Sequence, residues 1–149
     1  MRAVVQRVSR ARVTVDERVT GEIGPGLLAY LGVGAGDDEP EAAYLADKIA
    51  TLRVFEDDRG RMSLDVTAAR ASVLVVPQFT LYGDVRKGRR PDFAGAMEPA
   101  RANELYERVV ALLRARGLTV ATGEFRAHMM VDAVNDGPVT ILVDSARAF

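Results

Sequence analysis

Short apolar segments alternate with polar turns along most of the chain, and this pattern predicts a domain rich in β-strands. Residues 2–8 alternate between apolar and polar positions with the period of two that is typical of a half-buried strand. Residues 11–15 and 19–23 flank a polar turn at 16–18, which predicts a hairpin. Residues 27–33 are almost wholly apolar, as expected for a strand that is buried on both faces.

Two longer segments have the helical period instead. Residues 39–53 and 99–116 both have a proline in the first turn, and Gly117 follows the second segment as a candidate C-cap. Each segment places its apolar residues on one face. These faces comprise Ala42, Leu45, Ala46, Ile49 and Leu52 in the first helix, and Ala102, Leu105, Tyr106, Val109, Val110 and Leu113 in the second.

The remaining segments complete the predicted fold. Residues 72–81 contain the apolar run of another buried strand, and three further strands are predicted over 118–122, 125–133 and 138–144. Hairpins at both ends of the chain favour antiparallel pairing over a doubly wound parallel sheet. We therefore predict an α/β fold, in which residues 1–149 form a single domain of mixed, largely antiparallel β-sheets with two main helices.

Composition limits the function classes. The chain has 149 residues, no cysteine, one histidine and a net charge of −1. Disulfides and thiolate chemistry are excluded, a zinc site of the usual kind is not expected, and any nucleic acid would have to bind a local basic patch. No apolar segment has the length of a membrane span or of a signal peptide, so we expect a cytoplasmic protein.

Polar side chains end the predicted strand over 72–81. Gln78 and Thr80 follow its apolar run, and side chains at the end of a buried strand are well placed to line a pocket. Thr80 is then a candidate nucleophile and Gln78 a candidate orienting amide. The alternative is an ordinary strand threonine, because no histidine or cysteine adjoins Thr80 in the sequence to act as its base.

The run Asn135-Asp136-Gly137-Pro138 is a strong turn signal between two predicted strands. A plain loop is one interpretation. The other depends on glycine, which lets the backbone approach a ligand because no side chain stands in the way. The carbonyl groups of such a turn would then act as a steric gauge.

Basic residues form two clusters. Four of them lie within the five positions 86–90, where phosphate contact and a solvated loop are equally open interpretations. The weaker cluster comprises Arg7, Arg10 and Arg12, in which Arg7 has the strand parity of a side chain that points inward to a pocket.

The single histidine lies in the segment 125–130. His128 is a candidate general base because imidazole titrates near neutral pH, but no acidic partner stands at a useful spacing. Phe125 and Met129 are either core residues or a flat apolar surface that suits a stacked adenine. These residues alone indicate an α/β domain and leave open whether it binds the end of an RNA.

Two short motifs make the chain resemble the bacterial D-aminoacyl-tRNA deacylase family. The family motif Asn-x-Gly-Pro-x-Thr is complete at residues 135–140, and Ser-Gln-x-x-Leu corresponds to residues 77–81. The similarity extends over essentially the whole chain, including Gln6-Arg7-Val8 near its start.

The resemblance implies a hydrolase that cleaves the ester between a D-amino acid and the terminal adenosine of tRNA, without a metal or nucleotide cofactor. It also implies a homodimer with pockets at the subunit interface. Each chain would insert a cis Gly137-Pro138 bond into its partner's pocket to reject L-aminoacyl-tRNA. Achiral glycyl-tRNA would then also be a substrate.

The resemblance further implies roles for individual residues. Gln78, Phe79 and Thr80 would line the catalytic pocket, with the 2′-hydroxyl of the RNA rather than Thr80 activating the reaction. Arg7 would brace the Gly137-Pro138 turn. Contacts to substrate or RNA are implied for Lys87, Phe125, Met129 and Asn135.

Three positions depart from the family pattern. Pro77 replaces the serine, while Arg126 and His128 stand where the family has a glycine and an acidic residue. A related animal group that also has Pro-Gln is less strict about chirality, which leaves the strictness of this protein open. Two other functions stay open, namely hydrolysis of free D-amino-acid derivatives and non-catalytic binding of RNA ends.

Overall fold

The computed structural model describes residues 1–148, which form eight strands, two α-helices and one 3-10 turn. The strands are β1 (Arg2–Val15), β2 (Arg18–Ile23), β3 (Gly26–Gly32), β4 (Phe55–Glu56), β5 (Met62–Leu64), β6 (Ser72–Pro77), β7 (Val120–Thr122) and β8 (Met130–Asp144). The helices are α1 (Glu39–Thr51) and α2 (Pro99–Ala115), and the 3-10 turn is Phe79–Tyr82.

Six of the strands form one sheet in the order β2-β1-β3-β6-β7, with β8 paired to β1 as well. The pairs β3–β6 and β6–β7 are parallel, whereas β1 pairs antiparallel with β2, β3 and β8. The predicted fold class is therefore confirmed, with a mixed, largely antiparallel sheet and two main helices.

The sheet has an apolar core on each face. One core lies under α1 and α2 and includes Leu27, Leu45 and Leu105, each fully buried. The other lies within the curl of the sheet and includes Val13 and Leu74. The curl brings β2 against β7 so closely that a Cβ at Gly21 would collide with the carbonyl oxygen of Thr122.

Several predicted boundaries were wrong. The strands expected over 2–8 and 11–15 are one strand, because β8 pairs with both halves of it. The strand over 72–81 ends at Pro77, where the chain enters the 3-10 turn. The strands over 125–133 and 138–144 are the single strand β8, which begins only at Met130, so residues 125–129 belong to the loop before it. The short hairpin of β4 and β5 surrounds the turn at 57–60, and its strands were missed because they are only two and three residues long.

The predicted helices are confirmed and end slightly early, at Thr51 and Ala115. Among residues 1–148, no helix combines the length and the apolar character that crossing a membrane requires.

Candidate active site

A short ridge of side chains leaves the sheet where β6 ends. The amide of Gln78 donates a hydrogen bond of 2.8 Å to the carbonyl oxygen of Leu31 on β3, which fixes the start of the ridge. Phe79 and Thr80 then open the 3-10 turn, and both are exposed. The Gln78 side-chain amide donates to the Thr80 hydroxyl. Thr80 is therefore a turn residue rather than the strand threonine that one interpretation of the sequence suggested.

Two pockets adjoin this ridge, with volumes of about 320 and 280 Å³. Pro77, Gln78, Phe79 and Arg126 line both of them, so these four residues form the wall between the two spaces. The larger pocket is otherwise apolar and is closed by Leu31, Val33, Ala96, Met97, Pro99, Ala102, Tyr106 and Phe125. The smaller pocket, beyond the ridge, is lined by Val76, Ala127, His128, Met129 and Val131.

The loop between β7 and β8 supplies Phe125 to the larger pocket and Met129 to the smaller one. The amide of Gly123 donates to the carbonyl oxygen of Val75 at 2.9 Å, which holds this loop beside β6. A Cβ at Gly123 would lie 2.8 Å from the sulfur of Met129, so any larger residue would require the Met129 side chain to move. The loop thus brings Phe125 and Met129 to the same ridge as Gln78.

The one hydroxyl among the described residues in the wall of the larger pocket, that of Tyr106, is buried and hydrogen-bonded. Tyr106 donates a hydrogen bond of 2.9 Å to the carbonyl oxygen of Val75, and its ring centroid lies 6.3 Å from that of Phe125. Burial raises the pKa of the Tyr106 phenol, so it stays protonated near neutral pH. Tyr106 therefore acts as an apolar wall of the pocket rather than as an acid or base.

The Asn-Asp-Gly-Pro segment does not reverse the chain, as the sequence suggested, but projects from within β8. Gln6 pairs with Thr140 and Val8 pairs with Asn135, so one residue of β1 faces residues 136–139 of β8. The surplus residues bulge out of the sheet. Gly137 and Pro138 are exposed at the tip of the bulge, and the peptide bond between them is cis.

Arg7 and Asn135 hold this bulge at its base. Arg7 is 8% exposed, and its Nε donates to the carbonyl oxygen of Asp136 at 3.0 Å, while Nη1 donates to that of Val54 at 2.6 Å. The Asn135 side-chain amide donates to the carbonyl oxygens of Arg7 and Val139 at 2.9 and 3.0 Å. The inward parity predicted for Arg7 is correct, but Arg7 lines neither pocket at the ridge.

The structure does not bring every candidate residue to the ridge. Gly137, Pro138, Arg7, Asn135 and Lys87 line neither pocket, and Thr80 lines neither of them although it lies on the ridge. Lys87 is exposed on the basic loop, where the side chain of Arg86 is held by Asp84 at 2.5 Å. The hydrogen bonds from Arg86 lower the pKa of Asp84 to about 2. Among residues 1–148, no three His, Asp or Glu side chains come together in a way that could hold a metal ion.

Arg126 belongs to the ridge although the sequence marked it only as a departure. Its φ of 63° lies in the left-handed region, which favours glycine. This conformation turns the loop after Phe125 and carries Arg126 to the edge of both pockets. The signal available in the sequence was a charged residue at a position where the resemblance implies a glycine.

Comparisons with known proteins agree over the length of the chain. The family model described as D-Tyr-tRNA(Tyr) deacylase matches residues 4–144. The D-aminoacyl-tRNA deacylase of Symbiobacterium thermophilum is 60% identical over 149 residues, which cover 100% of this chain and 99% of that protein. The protein of the same name from Thermotoga petrophila is 57% identical, with 100% of each chain covered.

Two solved structures are similar in fold. One, called c-Myc DNA Unwinding Element Binding Protein, has a TM-score of 0.91 at 41% identity and covers 97% of this chain and 98% of its own. The other, described as a probable eukaryotic D-amino acid tRNA deacylase, has a TM-score of 0.84 at 17% identity, with 95% and 97% covered. With its two motifs, its fold and its full-length relatives all in agreement, this chain belongs to the D-Tyr-tRNA(Tyr) deacylase family of enzymes.

Proposed function

We propose that this protein hydrolyses the ester bond of D-aminoacyl-tRNA and releases the D-amino acid and the tRNA. The observation that carries the proposal is the meeting of Gln78, Phe79, Phe125 and Met129 around two adjoining pockets, in a chain of this family. We further propose that residues 1–149 act as one domain and that the protein works in the cytoplasm, where aminoacylated tRNA is used.

The larger pocket suits the terminal adenine of tRNA. Its walls are apolar apart from Gln78 and Arg126 at the ridge, and Phe125 and Tyr106 supply aromatic surface. A purine base gains free energy from stacking on such surfaces. With the base in this pocket, the ribose and its ester lie at the ridge of Gln78, Phe79 and Thr80.

Thr80 is a poor candidate for the nucleophile, because the group bound to its hydroxyl cannot accept a proton. That group is the amide nitrogen of Gln78, which donates a hydrogen bond. We propose instead that the neighbouring 2′-hydroxyl of the ribose assists the attack of water on the ester carbonyl. The acyl–oxygen bond then breaks, the acyl group keeps the hydroxyl of water, and the ribose oxygen takes the proton.

This chemistry predicts that Thr80→Ala retains substantial activity. The first amides of the 3-10 turn have no acceptor within the turn, and they stay available to the substrate when the hydroxyl is removed. We expect kcat to stay within about tenfold of the wild type in single-turnover deacylation of D-tyrosyl-tRNA. Thr80→Ser serves as the control that keeps the hydroxyl. A loss of about a million-fold, the scale of removing a covalent nucleophile, would restore Thr80 to that role.

The bulge that ends in Gly137 and Pro138 is our candidate for the chiral gauge, acting on the partner subunit's pocket. Within one chain it lies far from the ridge, because Arg7 pairs with Leu27 and Pro77 pairs with Leu31 on the same strand. Four residues of a strand span about 13 Å. The exposed bulge is therefore suited to reach a second chain, and its carbonyl groups would collide with an L-side chain. Glycyl-tRNA has no such side chain and would be accepted.

The proposed homodimer is supported by the character of β8. This strand of 15 residues has one strand neighbour, β1, so its other edge is unpaired among the described residues. Met130, Val134 and Leu142 on β8 are large apolar side chains that are 66, 41 and 56% exposed. A long exposed strand with apolar side chains is normally covered in a native protein.

The contacts proposed for the rest of the tRNA lie on the basic loop. Lys87 is exposed there, and its neighbour Arg86 is already held by Asp84. The chain has a net charge of −1, so attraction to tRNA depends on local clusters of this kind. We propose that Lys87 contacts a backbone phosphate of the acceptor arm.

The function is tested with D-tyrosyl-, L-tyrosyl- and glycyl-tRNA under matched conditions. We expect the D-tyrosyl and glycyl groups to be released rapidly and the L-tyrosyl group to stay attached. Acid precipitation of the remaining charged tRNA measures both results.

The same assay over a dilution series of the protein tests the proposed dimer. Specific activity should fall as dilution lowers the molecular mass to the 16.1 kDa of one chain.

Each rival function predicts a different result in this assay. D-tyrosyl-tRNA that stays charged with excess protein would contradict the proposal and favour a non-catalytic binder of RNA ends. Equal turnover of D-tyrosyl methyl ester would favour a hydrolase of free D-amino-acid derivatives. If the protein keeps its full specific activity when sedimentation shows it to be a monomer, the proposal of a site shared between two subunits fails, while the proposed hydrolysis stands.

A further inference from the structure

Arg126 is a cation without a partner at the edge of the two pockets. It is exposed, and among the described residues it takes part in no hydrogen bond or ion pair. No lysine and no other arginine lines either pocket at the ridge. The nearest acid in sequence, Glu124, is held by Arg18 at 2.7 Å. The positive charge of Arg126 is therefore available to a ligand.

The backbone at Arg126 has a conformation that costs free energy for a residue with a side chain. Its φ of 63° is a conformation that glycine adopts freely and that disfavours any residue with a Cβ. Residues in such conformations are enriched at functional sites, although Asp16, Glu17 and Arg70 share this conformation here and line neither pocket. The conformation alone would not identify a ligand, but here it coincides with a free charge that lines both pockets.

We infer that Arg126 binds the phosphodiester that joins the terminal adenosine of tRNA to the preceding nucleotide. The inference rests on the proposed function, because that function puts the adenine in the larger pocket and the ester at the ridge. The 5′-phosphate of a nucleotide lies next to its ribose, and Arg126 is the one cation among the described residues that line the pockets on the two sides of the ridge. Guanidinium is the side chain best suited to phosphate, since its planar donors match two phosphate oxygens.

The test compares Arg126→Gly with Arg70→Gly in the full-length protein. Arg70 is also exposed and has a φ of 52°, but it precedes the opposite end of β6 and lines neither pocket. Both substitutions remove one charge and relieve the same conformation. We expect Arg126→Gly to raise KM for D-tyrosyl-tRNA about five- to tenfold, with kcat within about twofold, and Arg70→Gly to leave both unchanged.

The dependence on salt separates a phosphate contact from a structural effect. Loss of one contact to single-stranded RNA should reduce the slope of log KM against log salt by about 0.7. Arg126→Lys keeps the charge on the same backbone and should keep most of that slope. The second probe is the non-hydrolysable amide analogue of D-tyrosyl-adenosine, with and without a 5′-phosphodiester. Arg126→Gly should weaken binding only of the analogue that carries the phosphate.

Three outcomes would overturn the inference. The first is an unchanged KM and salt slope in Arg126→Gly while the wild type is active. The second is an equal loss of binding for both analogues. The third is a fall in kcat with KM unchanged, which would assign Arg126 to the developing charge on the ester. If the wild type itself leaves D-tyrosyl-tRNA charged, the proposed function fails, whereas the analogue pair still reports on phosphate binding.

Discussion

Replacing Gly137 with alanine is expected to lower the preference for D- over L-tyrosyl-tRNA by about 10- to 100-fold. Gly137 has a φ of 150°, which L-residues rarely adopt, and an added Cβ would collide with the Val139 amide and lie 2.7 Å from Val139 Cγ2. The bulge must therefore shift, and the carbonyl groups proposed to exclude an L-side chain shift with it. The expected change corresponds to about 1.4–2.8 kcal/mol in transition-state discrimination, measured from single-turnover rates on both substrates.

Gly36→Ala is the matched control for this experiment. Gly36 also lies in a turn, but nothing stands within 4 Å of a Cβ added there. The Gly36→Ala variant should therefore prefer the D-substrate as strongly as the wild type does. If Gly137→Ala does not fold, Asn135→Ala offers a second route to the same change. It removes two hydrogen bonds that hold the bulge and leaves Gly137 in place. A folded variant of either kind that rejects the L-substrate as well as the wild type does would show that the bulge is not the gauge.

The helices and the buried strands could be predicted from local patterns, because the spacing of their apolar residues follows from the geometry of a helix or a strand. The apolar face of the second helix, from Ala102 to Leu113, is buried as predicted. The strand that became β3 was also identified, since an unbroken apolar run has few other solutions in a domain of this size. The secondary structure of such segments can be predicted from their own residues, without knowledge of the elements that pack against them.

The Asn135–Pro138 segment shows where local patterns fail. Its residues are typical of a turn between strands, yet β1 pairs with β8 on both sides of it and keeps the chain in one strand. The pairing of Val8 with Asn135 joins residues that are far apart in sequence, so no local window contains it. The ends of predicted strands were wrong for the same reason, because the register of a distant strand decides where pairing stops.

The candidate site was predicted only in part. The structure brings Gln78, Phe79, Phe125 and Met129 to one ridge, and Phe125 and Met129 reach it through the loop that packs tightly at Gly123. The resemblance assigned these residues to the site, whereas the patterns alone offered Gln78 as a pocket residue and left Phe125 and Met129 as either core residues or an apolar surface. Arg126 was the opposite case, since its place at the ridge follows from a backbone conformation that the sequence does not display.

Arg7→Met is expected to lower the free energy of unfolding by about 3 kcal/mol and to weaken rejection of L-tyrosyl-tRNA at the same time. Arg7 is nearly buried and donates to the carbonyl oxygens of Val54 and Asp136, which belong to distant parts of the chain. Hydrogen bonds from a charged group each contribute about 1.5–3 kcal/mol, and methionine leaves both carbonyls without a donor. Urea denaturation of the wild type and the variant measures the change in stability.

Arg10→Met is the matched control, because Arg10 lies on the same strand as Arg7 but is exposed, as is its partner Asp132. Their ion pair of 3.0 Å joins side chains that are 63 and 64% exposed, so its loss should cost less than about 1 kcal/mol. Arg7→Lys should fall between the two, since one ammonium group does not reproduce the planar donors that reach both carbonyls. Rejection of the L-substrate should weaken in the Arg7 variants and stay intact in Arg10→Met. Equal stabilities of Arg7→Met and Arg10→Met would show that Arg7 does not hold the bulge, and the chiral gauge would then need another support.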